Sequence, residues 1–313
     1  MLYVRVPCFG SSNSEKKTAS MDTLIKLIPE LGREYVHIKC PSKVVSILGK
    51  FAAGGVNALQ VIADFDHTVT KQHIHGERHV SSFCVVNKCT VLPEDFRDKD
   101  RKLLEKYLPI ERDPNLSKEE KIPYMVEWYT TTSELLNGFP LGSDEIASAV
   151  KKSDTQLRTG TAELVNALDE EDVPMLIFSA GLGDVVDAIL KCHGVVNKNI
   201  HVISNFLKYK DGHVNGFTND IVHPFNKNGK AAEHTKYFEL MSSRHNVILM
   251  GDNLGDAEMA DGVPNTDAVL KIGFLYGAVS TLLPSYMDHF DIVLVDDQTM
   301  VIPNSIFNHV KKN

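Results

Sequence analysis

Two carboxylates separated by one residue open the most informative segment of the sequence. Asp64 and Asp66 stand in DFDHTVT (64–70), directly after a short apolar run. Beyond the end of a strand, two such side chains can converge on one ligand. A carboxylate that stays ionised beside a metal ion can attack phosphorus, while the other, away from the metal, can carry a proton. The pair alone also fits a strand that ends in solvated acids, so a second signal is needed.

The second signal is the segment GDNLGD (251–256), which again follows an apolar run. Mg²⁺ prefers oxygen ligands, and Asp252 is placed to be one of them, opposite Asp64. Asp256 is expected to support this group of ligands. Read alone, the segment fits a loop with a helix N-cap equally well. The joint occurrence of the two acidic segments is more specific than either one.

An anion-binding segment is predicted at Ser179, Ala180 and Gly181, where a strand pattern gives way to a helix pattern. A hydroxyl and free backbone N–H groups at such a junction can bind a phosphate, although a simple N-cap has the same sequence. A lysine is expected to complete the charge compensation. The residue pattern leaves five candidates: Lys208, Lys210, Lys227, Lys230 and Lys236.

Four short apolar runs predict the strands that position these residues. They span 58–66, 173–181, 246–253 and 291–297, and each has the unalternated apolar core of a strand buried on both faces. Helix patterns, such as the one at 182–190, lie between them. This alternation predicts a parallel sheet, in which ligands bind beyond the carboxyl ends of the strands. Three of the runs carry Asp or Ser at that end.

Residues 78–158 differ from the rest, because they are charged and rich in aromatic side chains. They contain two helix patterns, near 94–108 and 117–139, and Ser117 with Glu120 forms a capping box at the second. The block is too long for a simple crossover between two strands. The predicted division is a catalytic core and an inserted, mainly helical cap: residues 1–77 with 159–313, and residues 78–158.

Composition narrows the range of partners. The 313 residues carry 33 basic and 41 acidic side chains, a formal net charge of −8, so nucleic acid is not expected as a partner. No membrane span is predicted, since that needs about 18 apolar residues. The nearest stretch, 272–287, is interpreted as a turn and a helix because of its serines, threonine and proline. Five scattered cysteines and a poor N-terminal secretory signal favour a cytoplasmic protein, expected to be a monomer.

Taken together, these segments resemble the haloacid dehalogenase-type phosphatases, and longer blocks resemble a narrower family. From about residue 55 to 310 the chain is similar to the cytosolic pyrimidine 5′-nucleotidases, including members that prefer 7-methylguanosine monophosphate. The blocks that carry this resemblance are DFDHTVT (64–70), EKIPYMVEWYT (120–130), IFSAGLGDV (177–185), VISNF (202–206), HPFNK (223–227) and GDNLGDAEMADGV (251–263). The resemblance implies an α/β, Rossmann-like core and a nucleoside 5′-monophosphate substrate: CMP, UMP or 7-methyl-GMP. The alternative is a related phosphatase for another small phosphomonoester.

The resemblance also implies roles. Asp64 is the nucleophile that forms an aspartyl-phosphate, and Asp66 protonates the departing ribose oxygen and then activates water. Mg²⁺ binds a carboxylate oxygen of Asp64, the backbone oxygen of Asp66, and Asp252. The other phosphate oxygens are held by Ser179, the Ala180 amide and a lysine.

The lysine of the family falls in the segment FNK, which selects Lys227. The residues after it, NGKAAEH (228–234), depart from the usual continuation, so Lys230 stays an alternative. His67 is a further departure, because an apolar residue is commoner at that position. Its backbone amide is still expected to serve the phosphate.

Three cap residues are implied to bind the nucleotide. Glu111 matches an acidic residue that contacts the base, although the sequence alone also fits a solvated acid. Trp128 is a candidate for stacking on the base, although its spacing fits a core position better. Thr132 stands where the family usually has a serine, so the hydroxyl is kept and a methyl group is added.

Overall fold

The computed structural model describes residues 11–113, 115–228, 237 and 241–313. Its centre is a seven-stranded sheet, flanked by helices, and two short hairpins lie outside this sheet. The strands are β1 (Val36–His37), β2 (Leu59–Ala63), β3 (His73–Ile74), β4 (Glu77–Arg78), β5 (Met175–Leu182), β6 (Ile200–Asn205), β7 (Leu207–Lys210), β8 (His213–Phe217), β9 (Asn246–Gly251), β10 (Ala268–Leu275) and β11 (Ile292–Val295).

The α-helices of the described residues follow the strands in a regular alternation through most of the core. They are α1 (Ser11–Leu27), α2 (Pro41–Gly54), α3 (Ser82–Val85), α4 (Glu94–Arg112), α5 (Lys118–Leu136), α6 (Ser143–Ser153), α7 (Thr161–Glu170), α8 (Gly183–Cys192), α9 (Val279–His289) and α10 (Val301–Lys311). No described helix is long and apolar enough to cross a membrane.

The order of the large sheet is β1-β11-β10-β9-β2-β5-β6, and every neighbouring pair is parallel except β1 with β11. Helices cover both faces, so every residue of β2 is buried, as the unalternated apolar run predicts. The four predicted strands and the helix at 182–190 are confirmed as β2, β5, β9, β11 and α8. The sequence therefore predicts the middle of the sheet correctly.

The prediction is less accurate for the stretch 272–287. The stretch 272–287 does end in a turn and α9, but it begins inside β10, which lies in the sheet between β9 and β11. Gly277 and Ala278 have φ angles of 71° and 43°. Two successive left-handed residues end the strand abruptly before the helix, and the uniform apolar composition hides this break.

Both helix patterns of the cap are confirmed, as α4 and α5, which pack against each other. The capping box is confirmed as well, because Ser117 Oγ accepts from the Glu120 amide and the Glu120 carboxylate accepts from the Ser117 amide. The hairpin β7–β8 packs on α5, while α6 packs on α8 of the core. The division at residues 77 and 158 stays a prediction, and contacts cross it at both places.

Candidate active site

Three adjacent strands bring the predicted polar segments to one edge of the sheet. The strands β9, β2 and β5 are neighbours and run parallel. Asp252 follows β9, Asp64 follows β2, and Ser179 lies near the end of β5. Because the carboxyl ends of parallel strands share one edge, the order of the strands places these three side chains together.

Asp64 is the most enclosed of the carboxylates at this edge. Only 7% of the residue is exposed, and its backbone amide donates to the Met250 carbonyl over 3.0 Å, which joins the ends of β2 and β9. Its Oδ1 lies 2.6 Å from Lys227 Nζ. Burial raises the pKa of Asp64 to about 7, against the opposing effect of the Lys227 charge. This carboxylate is therefore desolvated and held by one cation.

Among the candidate lysines that the structure describes, Lys227 is the one that lies at the site. Its Nζ contacts Asp64 and also lies 2.5 Å from Asp256 Oδ1. Burial lowers the pKa of Lys227, and the two carboxylates raise it by more, so the ammonium stays charged. Lys208 and Lys210 are exposed on the β7–β8 hairpin. The alternative Lys230, like Lys236, lies outside the described residues.

Asp64, Asp252 and Asp256 form a compact acidic cluster. One oxygen from each lies within 4.8 Å of the others. Burial, followed by the charges of Asp64 and Asp256, raises the pKa of Asp252 well above its usual value. Among the described residues, these three carboxylates share one lysine contact, that of Lys227, and burial disfavours the charged forms of Asp64 and Asp252. An oxygen-only cluster of this kind fits one hard divalent cation such as Mg²⁺.

Asp256 organises the loop that carries Asp252. Its Oδ2 accepts the backbone N–H groups of Asp252 and Asn253, over 3.1 and 2.9 Å. A Cβ at Gly251 would overlap the Asp256 side chain, so only glycine allows this approach. Asp256 therefore supports the loop as the sequence predicts, and it also belongs to the cluster itself.

Asp66 points away from the acidic cluster and is held by Ser82, in α3 at the start of the cap. The Ser82 amide donates to Oδ1 over 2.7 Å, and the Ser82 hydroxyl donates to Oδ2 over 2.6 Å. Burial raises the pKa of Asp66, and the two bonds from Ser82 lower it by less. Ser82 lies against Gly181, where any Cβ would overlap its hydroxyl. The two aspartates thus occupy different environments, as their predicted roles require.

The buried side chain of Arg158, which is 1% exposed, holds the turn that follows Asp66. Its guanidinium donates to the carbonyl oxygens of Thr68 and His67, over 2.7 and 2.5 Å. His67 has a left-handed φ of 66°, and its backbone N–H donates to Thr70 Oγ1 over 2.8 Å. The expectation that this amide serves the phosphate is therefore wrong, because the turn itself uses the donor.

On the cap side, Glu111 lies near the end of α4 and is half-buried. Burial raises its pKa, while the nearby charges of Arg112, Arg78 and Lys121 lower it by less. Glu111 is therefore not the freely solvated acid that the sequence alone allows. It is a partly desolvated carboxylate affected by the charges of three nearby cations.

The aromatic residues of α5 are arranged differently from the prediction. The Trp128 ring stacks on Tyr107 at 5.6 Å between centroids, so one of its faces is covered. Tyr129 is buried, and burial followed by the carboxylates of Glu111, Asp66 and Asp64 raises its pKa well above the usual value. Tyr129 is therefore a buried cap residue whose hydroxyl is affected by the carboxylates of the site, a role that the sequence does not suggest.

Thr132 is buried, and its hydroxyl donates to the Trp128 carbonyl over 2.9 Å. The Thr132 hydroxyl proton is therefore already used within α5. The Thr132 oxygen can still accept a hydrogen bond from a nucleotide. Sequence reasoning also missed Ser82, Tyr129 and Arg158. The sequence gives only weak signals for these residues. Ser82 resembles an ordinary helix cap, Tyr129 lies one helical turn after Met125, and Arg158 lies at the predicted cap boundary. The contacts that give them a role join distant parts of the chain.

The fold is that of the haloacid dehalogenase-type phosphatases. The probable phosphoserine phosphatase of Vibrio cholerae is similar in fold alone, with a TM-score of 0.50 and 14% identity over 82% of this chain and 66% of that chain. The family model for pyrimidine 5′-nucleotidase (UMPH-1) matches residues 67–311, and the chain belongs to this family. It is a phosphoric monoester hydrolase of the 5′-nucleotidase class, and the resemblance stated from the sequence is confirmed.

Individual relatives agree over nearly the whole chain. The 7-methylguanosine phosphate-specific 5′-nucleotidase of Drosophila melanogaster is 42% identical, with 91% of this chain and 90% of that protein covered. The human enzyme of the same name is 38% identical over 90% of this chain and 95% of its own length. A crystal structure of cytosolic 5′-nucleotidase IIIB bound to cytidine superposes with a TM-score of 0.88 at 41% identity, covering 92% of this chain and 97% of that one.

Proposed function

We propose that this enzyme hydrolyses nucleoside 5′-monophosphates, with CMP, UMP and 7-methyl-GMP as candidate substrates, in an Mg²⁺-dependent reaction that passes through a phosphorylated Asp64. The observation that supports this most directly is the desolvated Asp64 carboxylate. It lies between Lys227 and two further acids and faces a cap that carries Glu111. The names of the relatives favour 7-methyl-GMP among these substrates. Cytoplasmic location and a monomeric state stay predictions.

In the first step an Asp64 oxygen forms a bond to phosphorus while the bond from phosphorus to the ribose oxygen breaks. Asp66 gives its proton to that oxygen, and the nucleoside leaves. Asp66, now a carboxylate, takes a proton from water as the water attacks phosphorus. Inorganic phosphate is released and Asp64 is regenerated. Ser82 holds the Asp66 carboxyl group in place for the proton transfer of each step.

Ser179, the Ala180 amide and Lys227 bind the remaining phosphate oxygens. Mg²⁺ would be held by Asp64, Asp252 and the backbone oxygen of Asp66, with Asp256 supporting the loop, and it supplies positive charge that offsets the charge of the phosphate. In the base site, Glu111 accepts hydrogen bonds from the base. Trp128 supplies an aromatic ring for stacking on the base, and Thr132 supplies an acceptor.

The rate of phosphate release from a panel of substrates tests this function. We expect kcat/KM for CMP and 7-methyl-GMP to exceed the values for phosphoserine and sugar phosphates by at least about 100-fold. A site that forms hydrogen bonds to the base discriminates strongly against substrates that have no base. Higher values for phosphoserine or for a sugar phosphate would identify the enzyme as a phosphatase for another small phosphomonoester.

Removal of divalent metal is expected to make thermal stability fall as the pH rises from about 4 to about 7. In the metal-free protein burial raises the pKa of Asp64 from 3.8 to about 7, so the folded state holds a proton that the unfolded chain has released. Raising the pH through this window removes that proton and destabilises the folded state. Mg²⁺ takes its place, so the gain in melting temperature on adding Mg²⁺ should grow with pH.

Melting temperatures measured with Mg²⁺ and with EDTA at several pH values across this window check the prediction. The same samples should lose CMP hydrolysis in EDTA and recover it with added Mg²⁺. A gain in melting temperature that is equal at every pH, or full hydrolysis in EDTA, would contradict the metal assignment.

Replacement of Asp66 by Asn should affect substrates according to their leaving groups. For CMP, kcat/KM should fall by about 100- to 10,000-fold, because the ribose oxygen needs a proton as it leaves. For p-nitrophenyl phosphate the loss in kcat/KM should be much smaller, because p-nitrophenolate leaves with little help from an acid and kcat/KM does not include the later attack of water. Asp184→Asn is the control, because Asp184 also accepts a backbone N–H, from Leu207 over 2.8 Å. Equal losses on both substrates would remove the acid role from Asp66.

A further inference from the structure

We propose that Asn205 is a positioning residue that holds the two phosphate-binding segments, Ser179–Gly181 and the loop leading to Lys227, in one fixed arrangement. The inference rests on the proposed function, because it takes these segments to bind the phosphate group. Asn205 is the last residue of β6, within the block VISNF, and is 3% exposed. It acts through other residues and has no proposed contact with the substrate.

The need for such a residue arises from a bulge in β5. Phe178 pairs with Ile203, and the next aligned pair is Leu182 with Asn205, so β5 has two more residues than β6 between these pairs. The extra residues fall in the segment Ser179–Gly181. A bulge takes backbone groups out of the strand ladder, and buried carbonyls there need other partners.

The Asn205 side chain supplies a partner for the Ala180 carbonyl, while the Gly181 carbonyl also accepts from Ser204 Oγ over 3.0 Å. Asn205 Nδ2 donates to the Ala180 carbonyl over 2.9 Å and reaches the Gly181 carbonyl at 3.3 Å. Because the peptide unit is planar, fixing the Ala180 carbonyl also fixes the N–H of Gly181. That N–H donates to Ser179 Oγ over 3.0 Å. The serine oxygen thus accepts one bond, and its own proton is left to donate to a phosphate oxygen.

The same side chain also binds the second segment. Asn205 Oδ1 accepts from the Val222 N–H over 2.9 Å, and Asn205 Nδ2 donates to the Val222 carbonyl over 2.8 Å. Val222 precedes a turn in which the Asn226 side chain bonds the His223 N–H and the Ile221 carbonyl, each over 2.8 Å. Lys227 follows directly. One buried amide group therefore joins the serine segment to the lysine segment.

Loss of this amide should weaken the binding of phosphate and leave the binding of the base unchanged. In Asn205→Ala the carbonyls of Ala180 and Val222 lose their partner, and both segments can shift. A displacement of about 1 Å in a reacting geometry can cost about 100-fold. We expect the inhibition constant of inorganic phosphate to rise by about 10- to 100-fold, with a similar fall in kcat for CMP. The inhibition constant of cytidine should stay within about twofold, because the cap holds the base.

Asn199 offers a matched control at the other end of β6. It is 6% exposed and donates to the Val173 carbonyl over 3.0 Å, far along the strand from the bulge. Asn199→Ala should lower the melting temperature while leaving both inhibition constants at the wild-type values. Asn205→Ser, which keeps a small hydroxyl, is the milder second variant at the proposed position. All variants are measured as full chains with Mg²⁺ present.

Selective loss of phosphate inhibition in a folded Asn205 variant supports the proposal. Unchanged phosphate inhibition, or equal losses for phosphate and cytidine, overturns it. Failure of both Asn205 variants to fold while Asn199→Ala folds also overturns it, because Asn205 would then serve stability alone. If the wild-type enzyme neither hydrolyses CMP nor binds inorganic phosphate, the proposed function itself fails, and this outcome is distinct from a failure confined to Asn205.

Discussion

Asp64→Asn is expected to abolish hydrolysis of CMP, lowering kcat by at least about 10⁴-fold, in a protein that folds normally. An amide is a poor nucleophile, so the bond to phosphorus does not form. Folding should survive because Lys227 keeps its contact with Asp256, and because the replaced carboxylate is one whose burial already disfavours its charge. Rates of phosphate release and melting temperatures of the two proteins measure both parts of this prediction.

The chain offers a closely matched control for this substitution. Asp291 is 8% exposed and lies 2.6 Å from Lys43, so the burial of its carboxylate and its distance to a lysine match those of Asp64, although Lys43 itself is exposed. It precedes β11 and therefore lies at the opposite edge of the sheet. Asp291→Asn should keep near wild-type activity. Similar loss of activity in both variants would show that the effect comes from disturbing a buried carboxylate paired with a lysine and not from removing a nucleophile.

Glu111→Gln should change which nucleotide the enzyme prefers. A carboxylate only accepts hydrogen bonds, which suits the amino group of cytosine and the N–H donors of 7-methylguanine, whereas uracil presents a carbonyl at the matching edge. The variant should lower kcat/KM for CMP and 7-methyl-GMP by about ten- to hundredfold, the worth of a hydrogen bond to a charged group. UMP should be spared, because the glutamine amide can donate to its carbonyl.

Thermal stability should not fall in Glu111→Gln. Burial raises the pKa of Glu111, so the folded protein holds its charged form at a cost that the amide removes. Glu127→Gln is the control, since Glu127 lies on the same cap, is exposed and pairs with Lys106. A ratio of CMP to UMP activity that is the same in the wild type and in Glu111→Gln would leave Glu111 without a role in base recognition.

The sequence predicts the centre of the site well, for a physical reason. Asp64 and Asp252 follow apolar runs that have to be buried strands, and parallel strands bring their ends together whatever the loops do. The choice of Lys227 needed the family resemblance, because several lysines lie in one polar stretch and the pattern does not rank them. The contact of Lys227 with Asp64 and Asp256 supports this choice over Lys208 and Lys210.

The supporting contacts were beyond sequence reasoning. Ser82 reaches Asp66 only because Gly181 lacks a side chain, and Asn205 reaches Ala180 only because β5 bulges. Neither feature leaves a periodic pattern in the residues. The hydroxyl of Thr132 gives the same lesson, because residue type identifies a donor but does not tell whether the helix already uses it.

The most direct test of the mechanism is to stop the reaction during turnover and locate the phosphoryl group on the protein. The enzyme is mixed with Mg²⁺ and CMP that carries a radiolabelled phosphate, quenched in acid and mapped by peptide. We predict label on the peptide that contains Asp64, which disappears as the substrate is consumed and is absent in Asp64→Asn. Label on a different residue, or turnover of CMP by Asp64→Asn at the wild-type rate, would contradict the assignment of Asp64 as the nucleophile.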